Sequence, residues 1–294
     1  SIADKYVLNA SIRMDGSSRF SPATRWGLFP SASAAWILSE EKFLKKLNWL
    51  NMLKVRFGYG VSGQQDGIGD YAYISNYFEG TTTAQYLFGG VPYVVYRPGG
   101  FDANLKWEET ESYNIGLDFG LFKDRVSGSL DFYRKNTSDL LATVTVPAGT
   151  NFTNEILTNV GSMRNEGIEF SINAGLVAKK NFRLDMTANV SHNINQVLKL
   201  TQIPDSASVG ILLGGISGGI GNTVQVHRVG FPTFSFLLYE QLYDSDGLPI
   251  QVGTTAPDGT TYTEIDAFLD RNGDGVINID DRIPNRQVAP DVFM

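Results

Sequence analysis

The 294-residue chain carries 24 Lys and Arg against 31 Asp and Glu, a formal net charge of −7, and no cysteine. The acidic balance argues against nucleic acid as a partner, and the missing thiols exclude a disulfide framework, a thiol nucleophile and a thiolate metal site. Apolar runs such as Ile211–Leu213 fall far short of the roughly 18 residues a membrane helix needs, a test that a transmembrane β-barrel escapes because its lipid-facing and lumen-facing residues alternate.

Period-two alternation is the dominant signal and predicts seven strands. The first sets Tyr6, Leu8, Ala10, Ile12 and Met14 against Asn9, Ser11 and Arg13. The second has Leu28, Ala32, Ala34 and Trp36 against Ser31 and Ser33, and the third Leu53, Val55, Phe57, Tyr59 and Val61 against Lys54, Arg56, Gly58 and Gly60. Between these two, Phe43, Leu44, Leu47 and Leu50 of Glu40–Asn51 have helical spacing and predict a short amphipathic helix, with Trp36 and Trp49 at a membrane boundary. The fourth strand sets Tyr113, Ile115, Leu117, Phe119 and Leu121 against Asn114, Gly116, Asp118 and Gly120. The fifth sets Val126, Leu130 and Phe132 against Ser127, Ser129 and Asp131. The sixth has Ile168, Phe170, Ile172, Ala174 and Leu176 against Glu169, Ser171, Asn173 and Gly175. The seventh has Phe182, Leu184, Met186, Ala188 and Val190 against Arg183, Asp185, Thr187, Asn189 and Ser191. An eighth is expected to begin at Asp291.

Each run has about the length a tilted membrane strand needs, roughly 9–11 residues. A soluble β-sandwich alternates too, but the connections here are sorted. Lys123–Arg125 and Lys179–Asn181 are tight turns, whereas Ser62–Thr110, Asn136–Asn165 and Leu200–Pro290 read as long loops. Short turns at one end and long loops at the other is the arrangement of outer-membrane barrels. The fold expected is therefore all-β, an antiparallel transmembrane β-barrel segment.

The sharpest local motif is Asp270-Arg271-Asn272-Gly273-Asp274-Gly275-Val276-Ile277-Asn278-Ile279-Asp280-Asp281. It matches the spacing of a calcium loop: side-chain oxygens from Asp270, Asn272 and Asp274, the Val276 carbonyl, Asn278, and Asp281 where Glu is usual. The other reading is an acidic, Asx- and Gly-rich turn without metal. Gly210–Gly221 lacks the GKS or GKT of a phosphate loop and reads as a flexible loop. His192 and His227 have no Ser or Asp partner at a recognisable spacing, and Glu108, Glu109 and Glu111 read as a solvated strand entry, so no catalytic constellation is expected. Tyr86, Phe88, Tyr93 and Tyr96, with Phe234, Phe236 and Tyr239, are candidates for stacking against a sugar or peptide; packing within the loops is the alternative.

Several strings resemble the SusC/RagA family of TonB-linked outer-membrane proteins of Bacteroidetes. They are DKYVLNASIRMDGSSRF, RWGLFPSASAAWILSEEKF, WLNMLKVRFGYGVSGQQ, the LKWEETESYNIGLDFG run, NVGSMRNEGIEFSINA and DRNGDGVINIDDR. The resemblance implies about seven or eight strands of a larger, 22-stranded barrel, with the plug domain, TonB box and final strands lying outside residues 1–294. It implies an importer of glycan or peptide fragments in the outer membrane of a Gram-negative, Bacteroidetes-like cell. Its partners would be membrane lipid, a SusD-like lipoprotein, and TonB–ExbB–ExbD acting through an N-terminal region. Two other expectations stand beside it: a β-sandwich binding module with a dockerin-like calcium loop, and a passive porin.

Overall fold

A computed structural model describes residues 4–80, 83, 85–200, 210–215, 223–255, 259–285 and 292–293. The chain forms two compact units, one built on residues 4–194 with 292–293, the other on 195–200 and 210–285.

The first unit is an antiparallel eight-stranded sheet. In chain order its elements are β1 (Tyr6–Gly16), β2 (Trp26–Ile37), β3 (Leu50–Gln64), the short strands β4 (Tyr77–Glu79), β5 (Gln85–Phe88), β6 (Val91–Val94) and β7 (Tyr96–Pro98), then β8 (Glu108–Leu121), β9 (Val126–Thr145), β10 (Glu155–Lys179) and β11 (Phe182–Lys199). The second unit contributes β12 (Ile211–Gly215), β13 (Thr223–His227), β14 (Ser235–Leu238) and β15 (Ile283–Asn285); β16 (Val292–Phe293) returns to the large sheet. The large sheet runs β1-β2-β3-β8-β9-β10-β11-β16. All seven predicted strands are present. Asp291 itself lies outside the described residues, but Val292 and Phe293 pair with His192 and Ser191, making the eighth.

Register keeps the apolar positions of β1, β2, β3, β8, β9 and β10 on one face, because a one-residue slip would turn each set over. Leu8 faces Ala34, Ala34 faces Phe57, Phe57 faces Ile115, Ile115 faces Phe132 and Phe132 faces Ile168. These side chains are not covered: Leu8 is 64% exposed and Ile12 70%. A sandwich would bury that face against a second layer. A barrel wall turns it to hydrocarbon.

The apolar face has a limit at its loop-side end. Tyr113 faces Arg134 and Arg134 faces Glu166; one step further, Val61 faces Glu111 and Glu111 faces Asn136. Tyr113–Leu121 on β8 and Ile168–Leu176 on β10 are thus the apolar spans, close to the length of a tilted membrane crossing. At the other end aromatic and charged groups gather. Tyr6 stacks on Trp36 with ring centres 6.1 Å apart, and Trp49 lies 6.4 Å from Phe122. Glu41 accepts hydrogen bonds from Lys5 Nζ at 3.0 Å, Tyr6 Oη at 3.0 Å and Trp36 Nε1 at 3.3 Å. These donors, Lys5 foremost, hold the Glu41 carboxyl below the usual glutamate range.

Three sequence expectations are corrected. The helix over Glu40–Asn51 does not form. A 3₁₀ turn spans Leu38–Glu40, and the following amides close mostly i→i−3 turns, Leu47 to Leu44 and Leu50 to Leu47. So short a segment cannot repay helix nucleation, and β3 claims the chain from Leu50. The stretch Asn136–Asn165 is not a long loop: β9 and β10 continue as a ladder to Thr145 and Glu155, with a bulge at Asn159–Ser162, leaving only residues 146–154 as the connection. Leu200–Pro290 is likewise no plain loop. β12–β15 form a four-stranded sheet there, so Ile211–Gly215 of the Gly-rich segment is strand and His227 lies in β13; residues 216–221 fall outside the described residues.

Candidate functional site

Three features could carry function: the polar face of the wall, the long connection between β3 and β8, and the acidic loop of the second unit. On the polar face, neighbouring strands bring complementary charges into register. Arg56 on β3 donates to Asp118 of β8 through Nε at 2.9 Å and Nη2 at 2.8 Å, and Nη2 also reaches Asp131 of β9 at 3.0 Å. Lys54 joins Asp118 at 2.8 Å. Glycine makes room for this hub, since a Cβ on Gly116 would lie 2.5 Å from Asp131 Oδ1 and 2.7 Å from Arg56 Nη2. Hydroxyl and amide pairs continue the polar surface: Ser11 with Ser31 at 2.8 Å, Ser129 with Ser171 at 2.9 Å, and Thr187 to Asn173 at 2.8 Å. Tyr133 donates to Asn193 across Gly167. A polar depression of about 580 Å³ lies between Ser129, Asp131, Glu169, Ser171, Asn189 and Ser191. The sequence shows each of these residues on a polar strand position, but it does not show which become partners; the register does.

The connection from β3 to β8 is anchored by a small buried cluster of Phe20, Phe29, Ile68, Leu105 and Trp107. Phe20 and Phe29 flank the Trp107 ring at centroid distances of 5.2 and 5.5 Å. Trp107 Nε1 donates to the Arg25 carbonyl at 3.0 Å, and Thr24 Oγ1 to the Leu105 carbonyl at 2.6 Å. Cβ atoms on Gly27 or Gly63 would come within 2.4 and 2.1 Å of the Phe29 ring, so both positions need glycine. Four of the strings quoted above, those around Phe20, Phe29, Gly63 and Trp107, meet in this one cluster. Sequence reading treated them separately, because alternation says nothing about contacts among loops.

Beyond the anchor, β5 and β6 form a hairpin around Gly89 and Gly90, both with positive φ (60° and 82°), as a two-residue turn requires. The hairpin pairs Tyr86 with Tyr93 and Phe88 with Val91. Tyr86, Phe88, Tyr93 and Tyr96 are all exposed, Phe88 to 70%. Phe234, Phe236 and Tyr239 belong to the second unit. Phe234 meets His227 edge-on at 4.7 Å, and Arg282 stands 4.7 Å over the Tyr239 ring. Burial pushes the His227 imidazole below the usual histidine range.

The 270–281 loop is held by its own amides. Asp270 accepts from Gly273 and Gly275 at 2.7 and 2.9 Å, and Asp274 from Val276 at 2.8 Å. Asn272 accepts from Asp274 at 2.9 Å and Asn278 from Asp280 at 2.8 Å. Asp281, with no exposed surface, accepts from Asn278 at 2.8 Å and Arg271 at 2.9 Å. These amides, Asn278 first, hold its carboxyl below the usual aspartate range. The donor set is all oxygen, as a hard cation needs. Among the described residues no three His, Asp or Glu side chains converge as a metal cluster.

The comparisons agree with this architecture. A family model described as TonB dependent receptor-like, beta-barrel, matches residues 1–279. The chain is 42% identical over its whole length to TonB-dependent receptor SusC of Bacteroides thetaiotaomicron, and 35% identical over 99% of its length to TonB-dependent receptor P26 of Formosa agariphila. It spans 28% of each of those relatives. Among solved structures, the RagAB peptide importer in its closed-closed state matches 98% of this chain and 29% of its own, with a TM-score of 0.72 and 25% identity. The open-open state matches with a TM-score of 0.74 at 23% identity and shows the fold alone. An open wall of eight antiparallel strands, apolar on one face and charge-paired on the other, is thus matched by family and by fold: the chain belongs to the TonB-dependent receptor-like β-barrel family.

Proposed function

We propose that the protein this chain belongs to is an energised nutrient importer of the outer membrane, and that this chain forms part of its barrel wall and external loops. The observation that carries the reading is the bounded apolar face. It is exposed, it has the length of a membrane crossing, and it ends on the pair Arg134 and Glu166, with Glu111 one step beyond. Its relatives are TonB-dependent receptors, which supports import driven through TonB–ExbB–ExbD and work with a SusD-like surface lipoprotein. The substrate class is an oligosaccharide or peptide fragment. The exposed aromatics Tyr86, Phe88, Tyr93 and Tyr96 supply ring faces for it; Phe234, Phe236 and Tyr239 of the second unit are weaker candidates, since Arg282 already stands over Tyr239 and Phe236 is half-buried.

The test is uptake of labelled oligosaccharides and labelled peptides by cells carrying the full-length protein, with and without a protonophore. Import of one class that stops when the proton gradient collapses supports the reading. Uptake indifferent to the gradient would instead identify a passive pore.

The spacing of Asp270, Asn272, Asp274, Val276, Asn278 and Asp281 supports a second reading, calcium held in the 270–281 loop. Calcium would replace some of the internal amide contacts and stiffen the connection that leads to β15.

A further inference from the structure

The apolar face of the wall is not uniformly covered. Ala10 of β1 faces Ala32 of β2, and Ala34 follows two residues along on the same side. Their side chains end at Cβ, so they form the floor of a depression of about 660 Å³. Leu8, Phe57 and Ile115 stand along it, and Tyr59 and Tyr113 close one end with rings 5.2 Å apart. The depression crosses four strands, β1, β2, β3 and β8, a distance of about 14 Å at the usual strand spacing.

Its course relative to the apolar band gives it a direction. On β1 and β2 the apolar positions run Tyr6–Met14 and Leu28–Trp36, so Ala10 and Ala32 sit at their middles. On β8, Tyr113 is the last apolar position before Glu111, and Arg134 faces it across the ladder. The groove therefore climbs from the middle of the band to its loop-side border. A wall whose band lies in hydrocarbon meets acyl chains there, and this groove is continuous with that surface. A second copy packed symmetrically on the same site would set hollow against hollow and leave a void, which costs packing energy.

We infer that this groove is a specific seat for one acyl chain of an outer-leaflet lipid. The chain end lies over Ala10, Ala32 and Ala34, and the headgroup lies beside Tyr59 and Tyr113. Aromatic rings with polar tips favour such an interfacial level. The inference rests on the reading of this face as membrane-embedded.

The test is native mass spectrometry of the delipidated full-length protein in detergent, titrated with palmitoyl-oleoyl phosphatidylglycerol. The wild type should retain one lipid that resists activation beyond the loosely held population. Filling the floor with Ala32→Leu and Ala34→Leu should weaken that lipid by about tenfold. Ala188→Leu, an enlargement of the same kind on the apolar side of β11 away from the groove, should leave it bound. Equal retention in all three proteins overturns the inference while leaving the membrane reading intact. A wild type whose mass doubles, and which Ala34→Leu alone makes monomeric, assigns the groove to a second copy and also overturns it. Protein that stays soluble and monodisperse without detergent would overturn the membrane reading itself.

Discussion

Arg134 Nε lies 3.6 Å from Glu166 Oε2 on the apolar side of the β9–β10 ladder, directly beyond Phe132 and Ile168. An ion pair in that row marks where apolar surroundings end, because charge belongs at the border of a membrane span rather than within it. Substitutions on β8 and β10 should follow the same border. Leu117→Arg, in mid-band, should destabilise the folded barrel by about 2–4 kcal/mol, and Glu166→Arg by about 0–1 kcal/mol. Urea-driven unfolding from lipid vesicles measures both.

The cluster around Trp107 predicts a local effect. Trp107 is buried between Phe20 and Phe29, so Trp107→Ala should cost about 3–5 kcal/mol within that cluster. The consequence is release of the β3–β8 connection: limited proteolysis should cut residues 65–107 faster while the barrel still runs as a folded species on unheated gels. Gly63→Ala, driven into the Phe29 ring, should do the same more weakly, by about 1–3 kcal/mol.

On the polar face Arg56 joins two carboxylates from two strands, each only partly exposed. Arg56→Met leaves Asp118 with Lys54 alone and Asp131 without its cation. Partial solvent access tempers the cost to about 1–3 kcal/mol. Arg56→Lys should recover less than half, because an ammonium cannot reproduce the forked contact with Asp118. Chemical unfolding of the three proteins compares them.

Acid should act on the second unit in two steps. His227 has a depressed pKa when folded, so below about pH 6.5 the unfolded chain binds a proton that the folded chain resists, and stability falls. Asp281 also has a depressed pKa; its contribution is present above about pH 3.9, the unfolded value, and is lost as pH falls through the lower folded value. Relative to the intrinsic exchange rate, which itself falls with pH, the protection of amides in Thr223–His227 should therefore drop between pH 7.5 and 5.5, whereas the protection of Arg271 and Asn278, which donate to Asp281, should hold. Calcium added at neutral pH should slow proteolysis of residues 270–281, and Asp270→Ala should abolish that protection. Cleavage indifferent to calcium would remove the calcium reading.

Alternation made the wall legible, because a two-sided surface forces period two on every strand that crosses it. It fixed which side chains share a face, and therefore the apolar band, before any pairing was known. It misjudged where β9 and β10 end. Beyond Arg134 and Glu166 the period breaks: Thr137 and Thr158 are buried although polar, and the bulge at Asn159–Ser162 shifts the register past Asp139, so the apolar mark of a strand is lost although the ladder continues. The Phe20–Trp107 cluster and the β12–β15 sheet were hidden for a related reason. Their contacts join residues far apart in sequence, and single aromatics outside the strands, such as Phe20 and Trp107, have no period to betray them. The 270–281 loop was legible as a spelling, and its backbone turns follow from the same Asx and Gly residues that spell it.

The most direct measurement of the central account is a cysteine scan of β8 and β10 in a cysteine-free version of the full-length protein, embedded in membranes. Each site is read by a water-soluble maleimide and by a quencher confined to the lipid phase. The account predicts that Ile115, Leu117, Phe119, Ile168, Phe170 and Ile172 are shielded from the maleimide and quenched from lipid. Glu111 and Glu166 should label freely, and the alternate positions Asn114, Asp118, Glu169 and Ser171 should escape the lipid quencher. Equal labelling of both parities from water, with no quenching from lipid, would contradict it.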